Sequence, residues 1–417
     1  MWPFSGTDYT LLSPGAERKG QWLFSTKRGR IVLLSVATIL LLLVGASFHP
    51  SAAAAISKVT SPEPEPTQTE DSPKPQWTII EGAHPKGFFH GNKDEPAIER
   101  PEYVPAVDVK EKDKFAFLIW LSESPEDDNE FFDKDNYFVA CRVLLYQLLH
   151  DPRTKASKDI DVIVMTGPRV REAHKERLRK DGAIIKSVDI VHGQHDEWIV
   201  PEQSRWADVM GKLRAWEMEE YSRIVMLDGD MLLQSPLDGV FKDPGATLMQ
   251  TKPDPSLRKD DEPELPEDYL LCSFMEIQGK QHEWPPSDKR RFPGYFNAGF
   301  FMLKPSKKIF NHYLGLLDIE NRFDPAFPEQ NLLNYAHRWQ GAMPWKEIHG
   351  KWNTKFTTEA DMDGGVVSMH EKFWKLRSGG QKLMRFADSK RWQAEGYWIA
   401  EREAEEAEKK KKNGKRQ

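Results

Sequence analysis

The fold is decided by the stretch Ser222–Pro236, SRIVMLDGDMLLQSP, in which a short apolar run ends in two aspartates separated by one glycine. An apolar run of this kind is typical of a strand buried on both faces of a parallel sheet. Asp228 and Asp230, one residue apart in extended chain, point the same way, and Gly229 allows a ligand to approach the backbone closely. Such paired carboxylates suit Mg²⁺ or Mn²⁺ that carries phosphates, although a plain Asp-Gly turn is the alternative.

The chain before and around this strand alternates between strand and helix patterns. Buried-strand patterns occur at 114–122, 159–168, 183–191 and 222–227, and helix patterns occur at 136–149, 171–182 and 208–218. This alternation predicts crossover units on a mostly parallel sheet. We therefore expect an α/β domain over residues 112–400, with a Rossmann-like, mainly parallel twisted sheet flanked by helices. Ligands bind such sheets outside the carboxyl ends of the strands, where the two aspartates fall.

Composition and charge exclude several protein classes. The 417 residues are 39% apolar and 30% charged, which excludes a purely disordered or fibrous chain. The 65 acidic residues outnumber the 59 basic ones, for a net charge of −6, which argues against a nucleic-acid partner. The only cysteines, Cys141 and Cys272, cannot form a disulfide framework or a cysteine-based zinc site. One disulfide and two separate buried thiols both stay open.

An apolar run near the N-terminus predicts a membrane anchor. Ile31–Phe48 contains no charge and is as long as the shortest usual membrane span, ~18 residues. Basic residues precede the run and are scarce after it, so the positive-inside rule places the N-terminus in the cytosol. A cleaved signal peptide and a buried core helix are the alternatives. The expected segments are a cytosolic tail, a transmembrane signal anchor, a Pro/Glu-rich stem and a charged C-terminal tail, at 1–30, 31–48, 49–111 and 401–417 respectively.

Six segments resemble the family 8 glycosyltransferases, the group of glycogenin and galactinol synthase, and occur in that family's order over roughly Lys114–Lys375. The segment around Asp228 and Asp230 is similar to the family's D-x-D motif, and GYFNAGFFMLKPS (Gly294–Ser306) is similar to its FNAG signature. The others are FPEQNLLNYAHRW (Phe327–Trp339), GGVVSMHEKFW (Gly364–Trp374), VMGKLRAWEM (209–218) and NYFVACRVLLYQL (136–148). The resemblance implies a GT-A-like fold and retaining transfer from a UDP-sugar to a glycan or other hydroxyl acceptor. It also implies that Mn²⁺ or Mg²⁺ is the cofactor.

The resemblance assigns roles to ten residues. The metal ligands are Asp228, Asp230 and His370; the catalytic positions at the anomeric carbon are Gln330 and Glu329; the substrate contacts are Lys212, Asn297, Tyr137, Asp324 and Lys372. Lys212 and Lys372 match lysines near the phosphates, with Lys375 as the alternative to Lys372, since the HEKFWK segment lacks a glycine of the family pattern. The Glu-Gln pair departs from the common Asp-Gln of the family by one methylene. A front-side transfer and a covalent intermediate on Glu329 are both open.

Two other functions compete with this interpretation. One is a GT-A enzyme of another family, such as a mannosyltransferase, and the other is a non-catalytic lumenal protein that binds glycans. Golgi glycosylation enzymes are commonly lumenal transferases on a stem. We therefore expect the protein to be located in the Golgi membrane, with the endoplasmic reticulum as the second possible location. Among family 8 members, this type II form is closer to fungal N-acetylglucosaminyl- or hexosyltransferases than to cytosolic glycogenin. The donor sugars in question are GlcNAc, glucose and galactose.

Overall fold

The structure is a computed structural model that describes residues 99–106, 114–122, 135–277, 282–287, 291–375 and 380–414. The predicted cytosolic tail, the predicted membrane span and most of the predicted stem lie outside these residues. Within the described ranges, every helix is too short or too polar to cross a bilayer.

The bounds of the regular elements are as follows. The strands are β1 (Phe115–Leu121), β2 (Ile160–Thr166), β3 (Ile184–Ser187), β4 (Arg223–Asp228), β5 (Met231–Leu233), β6 (Met249–Gln250), β7 (Asp268–Tyr269), β8 (Leu271–Ser273), β9 (Met275–Ile277), β10 (Arg291–Phe296), β11 (Phe300–Leu303), β12 (Lys346–Glu347), β13 (Asn353–Lys355) and β14 (Ser368–His370). The α-helices are α1 (Asn136–Leu149), α2 (Glu172–Lys180), α3 (Lys307–Leu317), α4 (Pro328–Ala336), α5 (Glu359–Asp363) and α6 (Gln381–Gly414). Short 3₁₀ segments occur at Ser204–Trp206, Val209–Glu217, Asp238–Lys242, Pro255–Leu257 and Phe373–Lys375.

The central sheet has the strand order β12-β8-β11-β4-β1-β2-β3. β1 pairs in parallel with β2 and with β4, and β2 pairs in parallel with β3. β11 runs antiparallel to both of its neighbours, β4 and β8, while β12 is parallel to β8. The predicted mainly parallel sheet is therefore confirmed, with β11 as its one reversed strand.

The two faces of β1 enter two different parts of the core, as expected for a strand whose side chains alternate. Phe117 and Ile119 pack in the apolar cluster that includes Phe138 of α1. Leu118 and Trp120 pack in the cluster that includes α3 and α4. Because helices cover both faces, nearly the whole strand is buried, which explains its unbroken apolar sequence.

A second, three-stranded sheet with the order β13-β14-β5 brings a distant segment to the end of β4. β4 ends at Asp228 and β5 begins at Met231, so the Asp-Gly-Asp motif is the turn that joins the two sheets. β14 pairs antiparallel with β5 and places His370 opposite Met231. This register sets His370 beside the two aspartates.

The predicted helix over 208–218 is a 3₁₀ segment, Val209–Glu217. With three residues per turn, side chains three positions apart lie on one side. Leu213 and Trp216 accordingly enter the core, while Val209 and Lys212 line a cavity. Lys212 is thus buried but lines the cavity.

The predicted stem boundary at residue 111 is wrong for residues 99–106. Ala106 N–H donates to Leu248 O at 2.9 Å, and Gln250 N–H donates to Val104 O at 2.8 Å, so this segment pairs with β6. A proline is tolerated here because the segment lies at a sheet edge. The folded domain therefore includes residues that were predicted to be stem.

The predicted boundary at residues 400 and 401 falls inside α6, which runs without a break to Gly414. Residues 401–413 are exposed along this helix, so the charged tail is solvated but helical. In this tail, glutamates are followed by lysines, so opposite charges lie one helical turn apart. Glu408 Oε2 and Lys412 Nζ, for example, are 3.5 Å apart. The two cysteines are separate buried thiols, which settles the alternative that the sequence left open.

Candidate active site

A cavity of about 660 Å³ opens at the carboxyl ends of β1 and β4 and at the end of β14. Of the ten predicted site residues, nine line this cavity: Asp228, Asp230, His370, Lys212, Glu329, Gln330, Asn297, Tyr137 and Lys372. They come from separate elements that the sheet topology brings together. The volume falls in the usual range of ligand pockets, ~300–1,000 Å³.

Two aspartates and a histidine converge on one point of the cavity. His370 Nε2 lies 3.1 Å from Asp230 Oδ1 and 3.7 Å from Asp228 Oδ2, and one ligand atom of each residue lies within 4.8 Å of the other two. Burial alone would raise the pKa of Asp230, but His370 and Lys372 hold it below its ordinary value. Two carboxylate oxygens and an imidazole nitrogen are a donor set that Mn²⁺ accepts and that also suits Mg²⁺ in part. These three residues could therefore hold a divalent ion.

Lys212 connects this cluster to the predicted catalytic pair. Its Nζ lies 2.7 Å from Asp228 Oδ1 and 3.0 Å from Glu329 Oε1, and it donates to Ala298 O at 3.3 Å. Burial would lower the pKa of Lys212, but the carboxylates of Asp228 and Glu329 raise it above its ordinary value. The lysine is therefore a buried cation held between two acids.

Gln330 is fixed by hydrogen bonds at both ends of its amide group. Its oxygen accepts from Asn297 Nδ2 at 3.1 Å and from Ala298 N–H at 3.0 Å. Its nitrogen donates to Tyr295 OH at 2.6 Å, and that hydroxyl donates in turn to Asn331 Oδ1 at 2.7 Å. These contacts determine which amide atom faces which neighbour, so Asn297 and Gln330 form one rigid polar surface in the cavity.

Tyr137 and Lys372 line the cavity close to each other. Lys372 Nζ lies 5.6 Å from the centre of the Tyr137 ring and 3.9 Å from Asp230 Oδ2. Arg205 donates to Tyr137 OH at 2.8 Å. Lys375, the alternative to Lys372, is exposed and does not line the cavity. An aromatic ring and a lysine next to the carboxylates can together contact a base and phosphates.

The structure does not bring Asp324 to the cavity, unlike the other predicted residues. Its carboxylate accepts a hydrogen bond from Ala326 N–H at 2.9 Å, and its carbonyl accepts one from Asn331 Nδ2 at 2.9 Å. Asp324 therefore shapes the turn that leads into α4. Aspartates are common in such turns, which the spacing in the sequence does not distinguish from a sugar contact.

Several cavity residues were missed from the sequence. Glu276 and Lys355 belong to three-residue strands with no distinctive pattern, and Arg205 belongs to a short 3₁₀ segment. Tyr295 directly precedes the FNAG signature, a position that could have identified it as a support for that motif. Gly299 belongs to the signature itself, and its position beside His370 needs the fold to be seen.

Comparison with known proteins identifies the family. The model of the family described as "Glycosyl transferase family 8" matches residues 131–372. An uncharacterized protein of Schizosaccharomyces pombe is 30% identical over 61% of this chain and 74% of its own length. Galactinol synthase 1 of Solanum lycopersicum is 27% identical over 43% of this chain, and the match spans about half (51%) of that enzyme.

Two solved transferase structures show a distant likeness to this chain. Galactosyltransferase LgtC in complex with donor and acceptor sugar analogs is 15% identical, over 66% of this chain and 95% of that chain, with a TM-score of 0.37. Mouse xyloside xylosyltransferase 1 is 15% identical, over 62% of this chain and 97% of that chain, with a TM-score of 0.37. At these TM-scores the solved structures carry no argument, and the assignment rests on the family match. Because the family match extends over more than half of the chain, the protein belongs to glycosyl transferase family 8 and is a glycosyltransferase.

Proposed function

We propose that the protein transfers glucose, galactose or N-acetylglucosamine from a UDP-sugar to a hydroxyl group of a glycan or other acceptor, with retention of configuration and with Mn²⁺ or Mg²⁺ as cofactor. The observation that carries the proposal is the approach of His370 Nε2 to Asp230 and Asp228 at 3.1 and 3.7 Å, in a cavity that also holds Lys212 and Lys372. Carboxylates and an imidazole are metal ligands, and lysines are phosphate ligands.

The residues around the cluster fit a bound divalent ion. Asp230 is only 5% exposed, and the cluster lies in the wall of a cavity that a donor can enter. When bound, the ion stabilises negative charge on the diphosphate leaving group as a Lewis acid. Lys372 lies near enough to the cluster to add positive charge where the leaving group becomes more negative.

The sugar and the base of the donor have separate surfaces in the cavity. Asn297 and Gln330 present fixed amides, which can donate and accept hydrogen bonds to sugar hydroxyls. Tyr137, held by Arg205, offers an aromatic ring for the uracil base. The rigidity of both surfaces supports a bound donor whose anomeric carbon is held in one position.

The contacts of Glu329 and Gln330 favour the front-side route. Glu329 Oε1 is paired with Lys212 at 3.0 Å, and the Gln330 oxygen already accepts two hydrogen bonds, so both of these oxygens are engaged with other groups of the protein. In the front-side route, the departing phosphate oxygen accepts the proton of the acceptor hydroxyl. A Glu329→Ala variant should then keep measurable transfer, whereas complete loss in a folded variant would favour the covalent intermediate.

We also propose that the protein is a type II Golgi membrane protein with its transferase domain in the lumen. The support comes from the uncharged run Ile31–Phe48 and from the basic residues that precede it. The endoplasmic reticulum is the second location. Protease protection of the full-length chain in microsomes tests the orientation, since the proposal requires the transferase domain to be protected and the N-terminal tail to be cleaved.

The experiment that tests the proposed activity measures UDP release by the purified full-length chain from UDP-glucose, UDP-galactose and UDP-GlcNAc. We expect release from at least one donor with Mn²⁺ or Mg²⁺ and its loss on addition of a chelator. The anomeric configuration of the product, determined by NMR, should match that of the donor. If a folded chain releases UDP from none of the three with either metal, the proposed transfer from these UDP-sugars is wrong.

A further inference from the structure

The C-terminal helix α6 has apolar side chains on two of its sides. One side, which includes Leu383 and Trp398, is buried in a cluster shared with α1. The other side carries Trp392 and Ile399, whose exposed fractions are 64% and 40%. These two residues are seven positions apart, about two helical turns, so their side chains lie on the same face. An apolar face that the described part of the chain leaves exposed can serve as a contact surface.

A glycine lies between these two exposed side chains. Glycine inside a helix is unfavourable relative to alanine, so its presence needs a reason. A Cβ built on Gly396 would meet nothing within 4 Å, so no neighbour in the described ranges requires a glycine there. Trp392 is one helical turn before Gly396, so the face presents a bulky side chain next to a gap. A second helix that carries the same pair in the reverse direction would fill the gap with its tryptophan.

The charges on this face fit the same reversed arrangement. Arg385 is seven residues before Trp392, Glu403 is seven residues after Gly396, and both are exposed. When two copies of α6 run antiparallel with Trp392 opposite Gly396, Arg385 of each copy therefore lies opposite Glu403 of the other. In a parallel pair, each of these charges would face its own copy, and like charges repel. The face is thus complementary to itself only in the antiparallel direction.

The rest of the helix argues against a lipid surface as the occupant. Residues 401–408 contain five glutamates and one arginine, all exposed, and follow Ile399 closely. Helices that lie on membranes are instead rich in lysine and arginine on their polar face. A partner helix that offers a cation opposite Glu403 fits this face better, and α6 itself supplies that cation in Arg385.

We propose that two copies of the chain associate through α6, with the two helices antiparallel. Each Trp392 packs over Gly396 of the other copy, and Arg385 pairs with Glu403 at both ends of the contact. The same surface forms both sides, as in other two-fold symmetric dimers. α6 lies beyond residues 131–372, which match the family model, and its residues do not line the cavity. The inference is therefore independent of the proposed transfer reaction.

The first test measures the dissociation constant of the dimer by sedimentation velocity of the purified full-length chain in detergent. Gly396→Leu fills the gap and should weaken the dimer about tenfold or more, as expected for overpacking of a close contact. Leucine favours helix more than glycine does, so this loss cannot come from unfolding of α6. Gly350→Leu is the matched control, since a Cβ at Gly350 also meets nothing within 4 Å but lies far from α6 in the sequence, and its dimer should have the wild-type dissociation constant.

The second test exchanges the charges. Arg385→Glu and Glu403→Arg each place like charges opposite each other and should each weaken the dimer about tenfold. The double variant Arg385→Glu/Glu403→Arg restores opposite charges and should recover the wild-type dissociation constant. Glu405→Arg makes the same change of charge on the other side of the helix and should have no effect.

The third test determines the direction of the helices by disulfide formation with copper phenanthroline. The native thiols Cys141 and Cys272 are buried, so an introduced surface thiol reacts selectively. When Trp392 faces Gly396, Ser389 faces Ile399, since each is three residues further out. A mixture of the Ser389→Cys and Ile399→Cys variants should form a covalent dimer. Neither variant alone should do so, because two copies of one position are then ~15 Å apart along the axis, too far for a disulfide.

Each test can overturn the proposal. A wild-type chain that is monomeric at all concentrations shows that a second copy does not occupy this face. A dimer that Gly396→Leu and Arg385→Glu leave unchanged forms through another surface, and covalent dimers from each cysteine variant alone indicate parallel helices. None of these results depends on UDP-sugar turnover, so the α6 contact and the proposed function stand or fall separately.

Discussion

Gly299 lies directly against the His370 imidazole: a Cβ built on this glycine would come within 2.3 Å of His370 Cε1 and 2.8 Å of Asp228 Oδ2. The glycine of the FNAG signature therefore leaves the room in which two of the three candidate metal ligands approach each other.

Replacement of Gly299 by alanine should displace His370 and lower UDP-sugar turnover about a hundredfold, the effect of a ~1 Å misplacement in an active site. Steady-state UDP release checks this expectation. Gly350→Ala is the matched control, since a Cβ there meets nothing within 4 Å. Equal activity of both variants would show that the crowding at Gly299 has no catalytic consequence.

A buried ion pair connects α6 to the rest of the domain. Lys390 donates to Asp151, which follows α1, and both side chains are 4% exposed. Lys390→Ala leaves a buried carboxylate without its cation, so we expect a loss of about 3–5 kcal/mol in the free energy of unfolding. Urea denaturation measures it.

The control is Lys382→Ala on the same helix. Lys382 pairs with Asp363 in an exposed position, with side chains 47% and 68% exposed, and exposed pairs contribute less than about 1 kcal/mol. Similar destabilisation by both variants would contradict the anchoring role of Lys390.

Two buried histidines make the fold sensitive to acid. Burial lowers the pKa of His337 to about 3 and that of His312 to about 4. The pKa of histidine in the unfolded chain is near 6.5, well above the pKa of either histidine in the native state. As the pH falls below ~6.5, the unfolded chain therefore binds protons that the native chain does not, and stability decreases until the native pKa is reached.

Between the unfolded and the native pKa, each histidine should lower the free energy of unfolding by up to ~1.4 kcal/mol for each pH unit of acidification. Urea unfolding between pH 7 and pH 5 measures the slope. In His337→Gln, which keeps a donor for Met343 O, the slope should be shallower by the contribution of one histidine. An unchanged slope would mean that His337 does not titrate as described.

The sequence predicted the elements whose signal is local. β1, β2 and β4 each contain a continuous apolar run because both of their faces are covered, and α1 occupies the predicted range. The meeting of His370 with Asp228 and Asp230 needed the family resemblance, since it depends on the pairing of β14 with β5.

Features that depend on tertiary contacts were missed. Glu276 and Lys355 are 79 residues apart and lie in three-residue strands, too short for a periodic pattern. Residues 99–106 pair with a sheet edge, and no local pattern separates such a segment from a stem. Asp324 lies outside the cavity lining, in a turn with contacts to Ala326 and Asn331, and the sequence pattern does not distinguish this turn position from a sugar contact.

The central claim is that Asp228, Asp230 and His370 hold one divalent ion. Electron paramagnetic resonance of free Mn²⁺, titrated with the full-length chain in the presence of UDP, tests it most directly. The account predicts that His370→Ala binds Mn²⁺ at least tenfold more weakly than the wild type. The control is His192→Ala, which changes an exposed histidine outside the cavity and should bind Mn²⁺ with the affinity of the wild type. Mn²⁺ binding by a folded His370→Ala variant with the affinity of the wild type would contradict it.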